Sequence, residues 1–217
     1  MSDGFADRVD AGRRLAGHLA DLAGDDSVVL GLPRGGVPVA AEVADALAAP
    51  LDVLVVGKIG MPGHEELAMA AVADDGTVAL NPSVIAVVGM SDDEVEALSR
   101  RHARELAHRA DDLRGGRAPE VVAGRVVVIV DDGMATGATM RVAVDVVRQR
   151  DPKLLVVAVP VASGEACAAV GHAADRVECV ATPTPFRAVG AWYDDFRQVS
   201  DDEVREILSA AGPRPRG

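Results

Sequence analysis

Aromatic residues are scarce in this chain: Phe, Tyr and Trp make up 2% of its 217 residues. Its core must therefore be built from Val, Ala and Leu, which favours close-packed helices on a Val-rich sheet. Cysteine is nearly absent as well. The two present, Cys167 and Cys179, are too few for a disulfide framework and lack a metal-binding spacing. They read as buried, reduced thiols of a cytoplasmic protein. Positive charge is in deficit, and a net charge of −12 argues against nucleic acid as a partner, because phosphate neutralisation needs a basic surface. No apolar run reaches the ~18 residues of a membrane span. The N-terminus alternates acidic and basic residues without the apolar stretch of a secretory signal. One domain over 1–211 is expected, with 212–217 as a disordered tail.

What is present is an alternation of strand and helix. A helix over 8–23 precedes a strand at 28–32, a helix at 37–48 and a strand at 51–56. Segments 68–73 and 77–81 flank Asp74-Asp75-Gly76, a hairpin turn. Ser91 with Glu94 forms a capping box that opens a charged helix from 92 to 113. Its arginines, Arg100, Arg101, Arg104 and Arg109, read as a solvated face rich in intrahelical pairs. Strands at 126–130, 154–159 and 176–180 alternate with helices at 138–150 and 164–172, and Ser200 with Glu203 caps a closing helix. Such an order implies a parallel sheet with helices on both faces and a ligand site at the carboxyl ends of its strands.

The run VVVIVDDGMATGAT, residues 126–139, is the most informative stretch. An unbroken β-branched strand ends in Asp131 and Asp132, which cannot remain in a two-sided core. Gly133, Met134, Ala135, Thr136, Gly137, Ala138 and Thr139 then form a small-residue loop opening a helix, a cradle for a phosphate dianion. Hydroxyl acceptors beside a phosphate cradle describe a ribose 5-phosphate site. No Gly-Lys-Ser/Thr follows, which excludes a P-loop. The acidic pair precedes the glycines, which excludes the dinucleotide fingerprint.

This run resembles the phosphoribosyl pyrophosphate (PRPP) motif of the type I phosphoribosyltransferases. With LPRGGVPVA at 32–40, KIGMPGHEELAM at 58–69 and the segment 185–204, the resemblance extends to predicted bacterial members with no defined substrate. It implies an α/β fold with a mainly parallel five-stranded sheet, helices on both faces, and a small hood formed by the N-terminal segment and about 181–200. In family terms Arg34, Gly35 and Gly36 bind pyrophosphate, Lys58 is a basic residue reaching it, and the segment from Met61 to Glu66 resembles a mobile loop closing over substrates. Glu65 and Glu66 are the nearest acid–base candidates. Asp131 and Asp132 would hold the ribose hydroxyls and orient Mg²⁺. Phe186 and Trp192 either sandwich the base or seal the edge of the core, whereas sealing is the better reading for Phe196. Ala135 stands where 6-oxopurine enzymes usually carry an Asp, which disfavours hypoxanthine and guanine as acceptors.

The function so implied is transfer of a 5-phosphoribosyl group from PRPP to a nitrogenous base with release of pyrophosphate. The partners implied are PRPP and a nucleobase-like acceptor, with no nucleic acid or membrane, in a cytoplasmic homodimer. The alternative is a regulatory protein on the same fold that binds PRPP or a nucleotide with little catalysis.

Overall fold

The computed structural model describes residues 4–24, 26–61 and 64–212, and for 61 and 64–67 the course of the backbone only. Its centre is a five-stranded sheet in the order β2-β1-β6-β7-β8, built from β1 (Ser27–Gly31), β2 (Leu51–Val53), β6 (Val126–Val130), β7 (Leu154–Val161) and β8 (Arg176–Ala181). Every pairing in it is parallel. Val128 sits in the middle of the ladder, opposite Val29 on one side and Val156 on the other.

The period-two alternation of strand side chains divides the core in two. Val126, Val128 and Val130 face one apolar cluster, and Val127 and Ile129 face the other. The first face is covered by α1 (Arg8–Gly17), α2 (Gly36–Leu47), the end of α4 (Asp92–Arg114) and α7 (Asp201–Ala211). The second is covered by α5 (Ala138–Arg148) and α6 (Gly164–Gly171). Both expected capping boxes are formed, at Ser91/Glu94 and Ser200/Glu203.

Four features depart from the sequence reading. The helix expected over 8–23 ends at Gly17, and a separate 3-10 turn follows at Ala20–Leu22. The strand expected over 51–56 stops at Val53, and the chain turns into β3 (Val56–Met61), the first strand of a second sheet. That sheet is antiparallel, in the order β3-β4-β5, with β4 (His64–Ala73) and β5 (Val78–Leu80) joined through the expected turn at Asp74-Asp75-Gly76. Residues expected to form a mobile loop are thus largely strand: Met61 ends β3 and His64 opens β4. Gly60, just before them, lies at register shifts in the β3–β4 ladder. The intervening Pro62 and Gly63 lie outside the described residues. Finally, α3 (Pro82–Val88) lies where no element was expected, with Pro at its first turn. It packs with α4 over Ile59, Met69 and Val72 of the second sheet.

Candidate active site

Because β1 and β6 are parallel neighbours, the loops that leave their carboxyl ends lie side by side. Leu32 N–H still reaches the Val130 carbonyl at 2.9 Å, so the ladder runs one step past β1 before the loop turns away. The glycines that follow are there for closeness. A Cβ on Gly36 would stand 2.6 Å from the Val130 oxygen and 2.8 Å from the Asp131 Cα. A Cβ on Gly35 would stand 2.0 Å from Asp132 Oδ2. Gly35-Gly36 is therefore pressed onto Asp131 and Asp132, and the structure brings these two sequence-predicted groups together.

The carboxylate pair is held from the other side by a residue that sequence reasoning missed. Arg8, the first residue of α1, reaches Asp132 Oδ2 through Nε at 2.9 Å and Nη2 at 2.8 Å. Its Nη1 donates to the Arg197 carbonyl at 2.8 Å, and its guanidinium lies 4.1 Å from the centre of the Phe196 ring. Tyr193 O–H donates to the Asp132 carbonyl at 2.6 Å. Phe196, expected to seal the edge of the core, is instead exposed and packs on Tyr193 and Arg8. The only sequence signal for Arg8 was a basic residue at the start of a helix, where the dipole disfavours one.

Burial raises both carboxyls above the ordinary range. For Asp132 the Arg8 guanidinium opposes that rise. For Asp131 burial is reinforced by the charge of Asp132, and its pKa stands well above the usual value.

The loop after the pair is clamped at its first half and open at its second. Met134 N–H donates to Val161 O, and its own carbonyl accepts from Ser163 N–H, both at 2.9 Å. Ser163 Oγ, which also caps α6, donates to Ala135 O at 2.7 Å. Beyond this clamp the amides of Ala135, Thr136 and Gly137 make no hydrogen bond among the described residues. Gly137 has φ +73° and caps α5, so these free amides gather at a helix N-terminus. Thr136 Oγ1 accepts from Ala138 N–H at 3.4 Å, and Thr139 lies in the first turn of the helix. Gly133 is packed tightly, its Cβ position 2.6 Å from Val189.

Other predicted residues stand further from the pair or are turned elsewhere. Arg34 approaches Asp201 of α7 at 3.8 Å. Lys58 is exposed on β3 and lines a groove of about 700 Å³ shared with Ala138 and Arg141 of α5. Phe186 and Trp192 are half-buried against Phe5, Val161 and Tyr193, and the Trp192 carbonyl accepts from Phe5 N–H at 2.7 Å. The N-terminal segment and the 190s therefore do join, through a bridge between Phe5 and Tyr193. The backbones of Glu65 and Glu66 run in β4, and their side chains lie outside the described residues.

Arg109, read from sequence as part of a solvated helix face, is exposed. It also lines a cavity of about 140 Å³ with Pro33 of the glycine loop and Thr139 at the start of α5. Among the described residues it makes no ion pair. The same cavity is lined by Leu106, one turn earlier on α4, so the apolar stripe of that helix was the signal that could have located it.

A parallel α/β sheet with an acidic pair and an open-amide loop at its carboxyl edge defines a doubly covered α/β domain with its crevice at the strand ends. The chain belongs to the phosphoribosyl transferase domain family, whose model matches residues 6–194. A Mycobacterium tuberculosis protein provisionally named a phosphoribosyl transferase is 49% identical over 207 residues, covering 95% of this chain and 47% of that protein. The chain thus spans about half the length of the curated relatives it matches. The crystal structure of a Thermus thermophilus protein superposes with a TM-score of 0.87 at 44% identity, covering 97% of this chain and 100% of that one.

Proposed function

We propose that this chain transfers a 5-phosphoribosyl group from PRPP to a nitrogenous base, releasing pyrophosphate. The observation that carries the reading is the contact of Gly35 and Gly36 with Asp131 and Asp132, beside the open amides of 135–137. It gathers acceptors for ribose hydroxyls, a cradle for the 5-phosphate and a second loop for pyrophosphate within one crevice.

Two adjacent carboxylates, with no group of three His, Cys, Asp or Glu that could hold a metal among the described residues, suit Mg²⁺ shared with substrate oxygens rather than a protein cage. Bound there, the ion would neutralise charge on the departing pyrophosphate. Asp131 and Asp132 accept the ribose hydroxyls and favour the positive charge that grows on the sugar as the anomeric bond loosens. Arg8 keeps Asp132 oriented and favours its ionised form. Met134, Ala138 and Thr139 complete the 5-phosphate loop. Arg34, Lys58 and Arg109 supply cations to the pyrophosphate, Arg109 from the cavity between the two loops. Phe186 and Trp192 border the acceptor, and Glu65 or Glu66 supplies acid–base help to it. A nitrogen of the acceptor attacks the anomeric carbon, with no covalent intermediate on the protein. A homodimer in the cytoplasm completes the reading, and sedimentation velocity tests its first half.

The test is pyrophosphate release from PRPP and Mg²⁺ across a panel of bases. Adenine or xanthine should support release, with hypoxanthine and guanine slower by about 10²–10⁴-fold for want of a carboxylate at Ala135. Tight PRPP binding with no release for any base would favour the regulatory alternative. Release with hypoxanthine matching the best base would remove Ala135 as a guide to the acceptor.

A further inference from the structure

The two cysteines, unconnected in the sequence reading, meet in space. Cys167 lies in α6 and Cys179 on the edge strand β8, with their sulfurs 3.2 Å apart. Both are half-buried and neither is bonded to another group as a disulfide. We propose that Cys167 and Cys179 are a redox-active dithiol, closed to a disulfide by hydroperoxides and reopened by external dithiols.

The Cys167 thiolate attacks the terminal oxygen of the hydroperoxide. The O–O bond breaks, the leaving oxygen departs with a proton as water or alcohol, and Cys167 becomes a sulfenic acid. The Cys179 sulfur then displaces the sulfenic oxygen, which leaves as water once both protons are gathered on it. Two thiols and one peroxide thus give one disulfide with water and the reduced peroxide. Burial and the adjoining Cys167 and Glu178 push the Cys179 thiol up, so it is the poorer first nucleophile and serves as the resolving one.

Disulfide closure to about 2.05 Å draws α6 and β8 together. The same helix is capped by Ser163, which clamps Met134 and Ala135. The Cβ position of Gly137 lies 3.3 Å from Ala166 O and from Val170 of that helix. Oxidation therefore acts on the base of the phosphate loop. This consequence rests on the loop holding a phosphate, whereas the disulfide itself does not.

The full chain is treated with hydrogen peroxide at neutral pH, and free thiols and intact mass are measured before and after dithiothreitol. Both thiols should disappear together, leaving a monomer lighter by two hydrogens that dithiothreitol restores. Cys179→Ser should accumulate a dimedone-reactive sulfenic acid at Cys167. Cys167→Ser should consume peroxide at least about tenfold more slowly. Thiols that survive in the wild type, stable oxygen adducts, or disulfides between chains would overturn the proposal. The thermal shift given by PRPP is then compared in the two redox states. A changed shift supports the coupling to the loop, and an equal shift with the disulfide formed overturns that coupling alone. No shift in either state, with the disulfide formed, counts against the phosphate reading and leaves the dithiol standing.

Discussion

Two buried arginines in this fold each sit beside a pair of aspartates, and the two clusters are put to different ends. Arg114, at the end of α4, reaches both of its partners: Nε to Asp52 Oδ1 at 2.8 Å and Nη1 to Asp74 Oδ2 at 2.7 Å. Its Nη2 donates to Val53 O at 2.8 Å, and Asp52 also accepts the amides of Val53 at 2.8 Å and Glu120 at 3.0 Å. This cluster ties β2 of the large sheet to the β4–β5 turn of the small one. Arg8 reaches only one of its pair, Asp132. Asp131 is left against the Asp132 carboxylate and beneath Gly36. One arginine satisfied by two aspartates makes a joint. One arginine shared unequally leaves a buried carboxylate without a cation of its own.

Breaking the joint should have the largest effect. Arg114→Met strands two buried carboxylates and should cost about 3–5 kcal/mol in chemical denaturation. A loss below about 1 kcal/mol would mean that the cluster is solvated and holds nothing together. Arg8→Met should cost less, about 2 kcal/mol, because a single partner is orphaned at a more open position. If it proves as costly as Arg114→Met, the two clusters do not differ in the way described.

Substitutions within the acidic pair sharpen the contrast. Asp131→Asn should raise Tm by about 2–4 °C at pH 7–8, since it removes a carboxyl that burial and Asp132 disfavour as an anion. The sign follows from the raised pKa. Its contribution to stability is present below the unfolded value and is lost as pH rises through the folded one. The advantage of the variant should therefore fade near pH 4 and below. Asp132→Asn should lower Tm at neutral pH, because it frees Arg8. Melting curves of both variants across pH test this, and a parallel response of the two would contradict the unequal sharing.

Much of this was legible in the sequence. The motif strand is bounded as read, at Val126–Val130, and both capping boxes form, because each signal is local and involves neighbouring residues. The acidic pair and the glycine loops could be found for the same reason. What stayed hidden depends on partners far apart in the chain. Arg8 meets Asp132 across 124 positions, and Arg114 meets Asp52 across 62. No periodicity records such pairs. The strands through Gly60 stayed hidden because glycine and proline suggest an irregular loop, whereas pairing of β3 with β4 overrides that preference. The cysteines misled in a similar way, since a separation of 12 residues says nothing of a 3.2 Å contact.

Calorimetric titration of PRPP, with and without Mg²⁺, into the wild type and the folded Asp131→Asn variant tests most directly whether the acidic pair forms the PRPP site. The wild type should bind PRPP more tightly with the ion present, and the variant should lose at least about tenfold of that affinity while melting no lower than the wild type. Equal, Mg²⁺-independent binding by both proteins would contradict the assignment of Asp131 to the ribose and its metal.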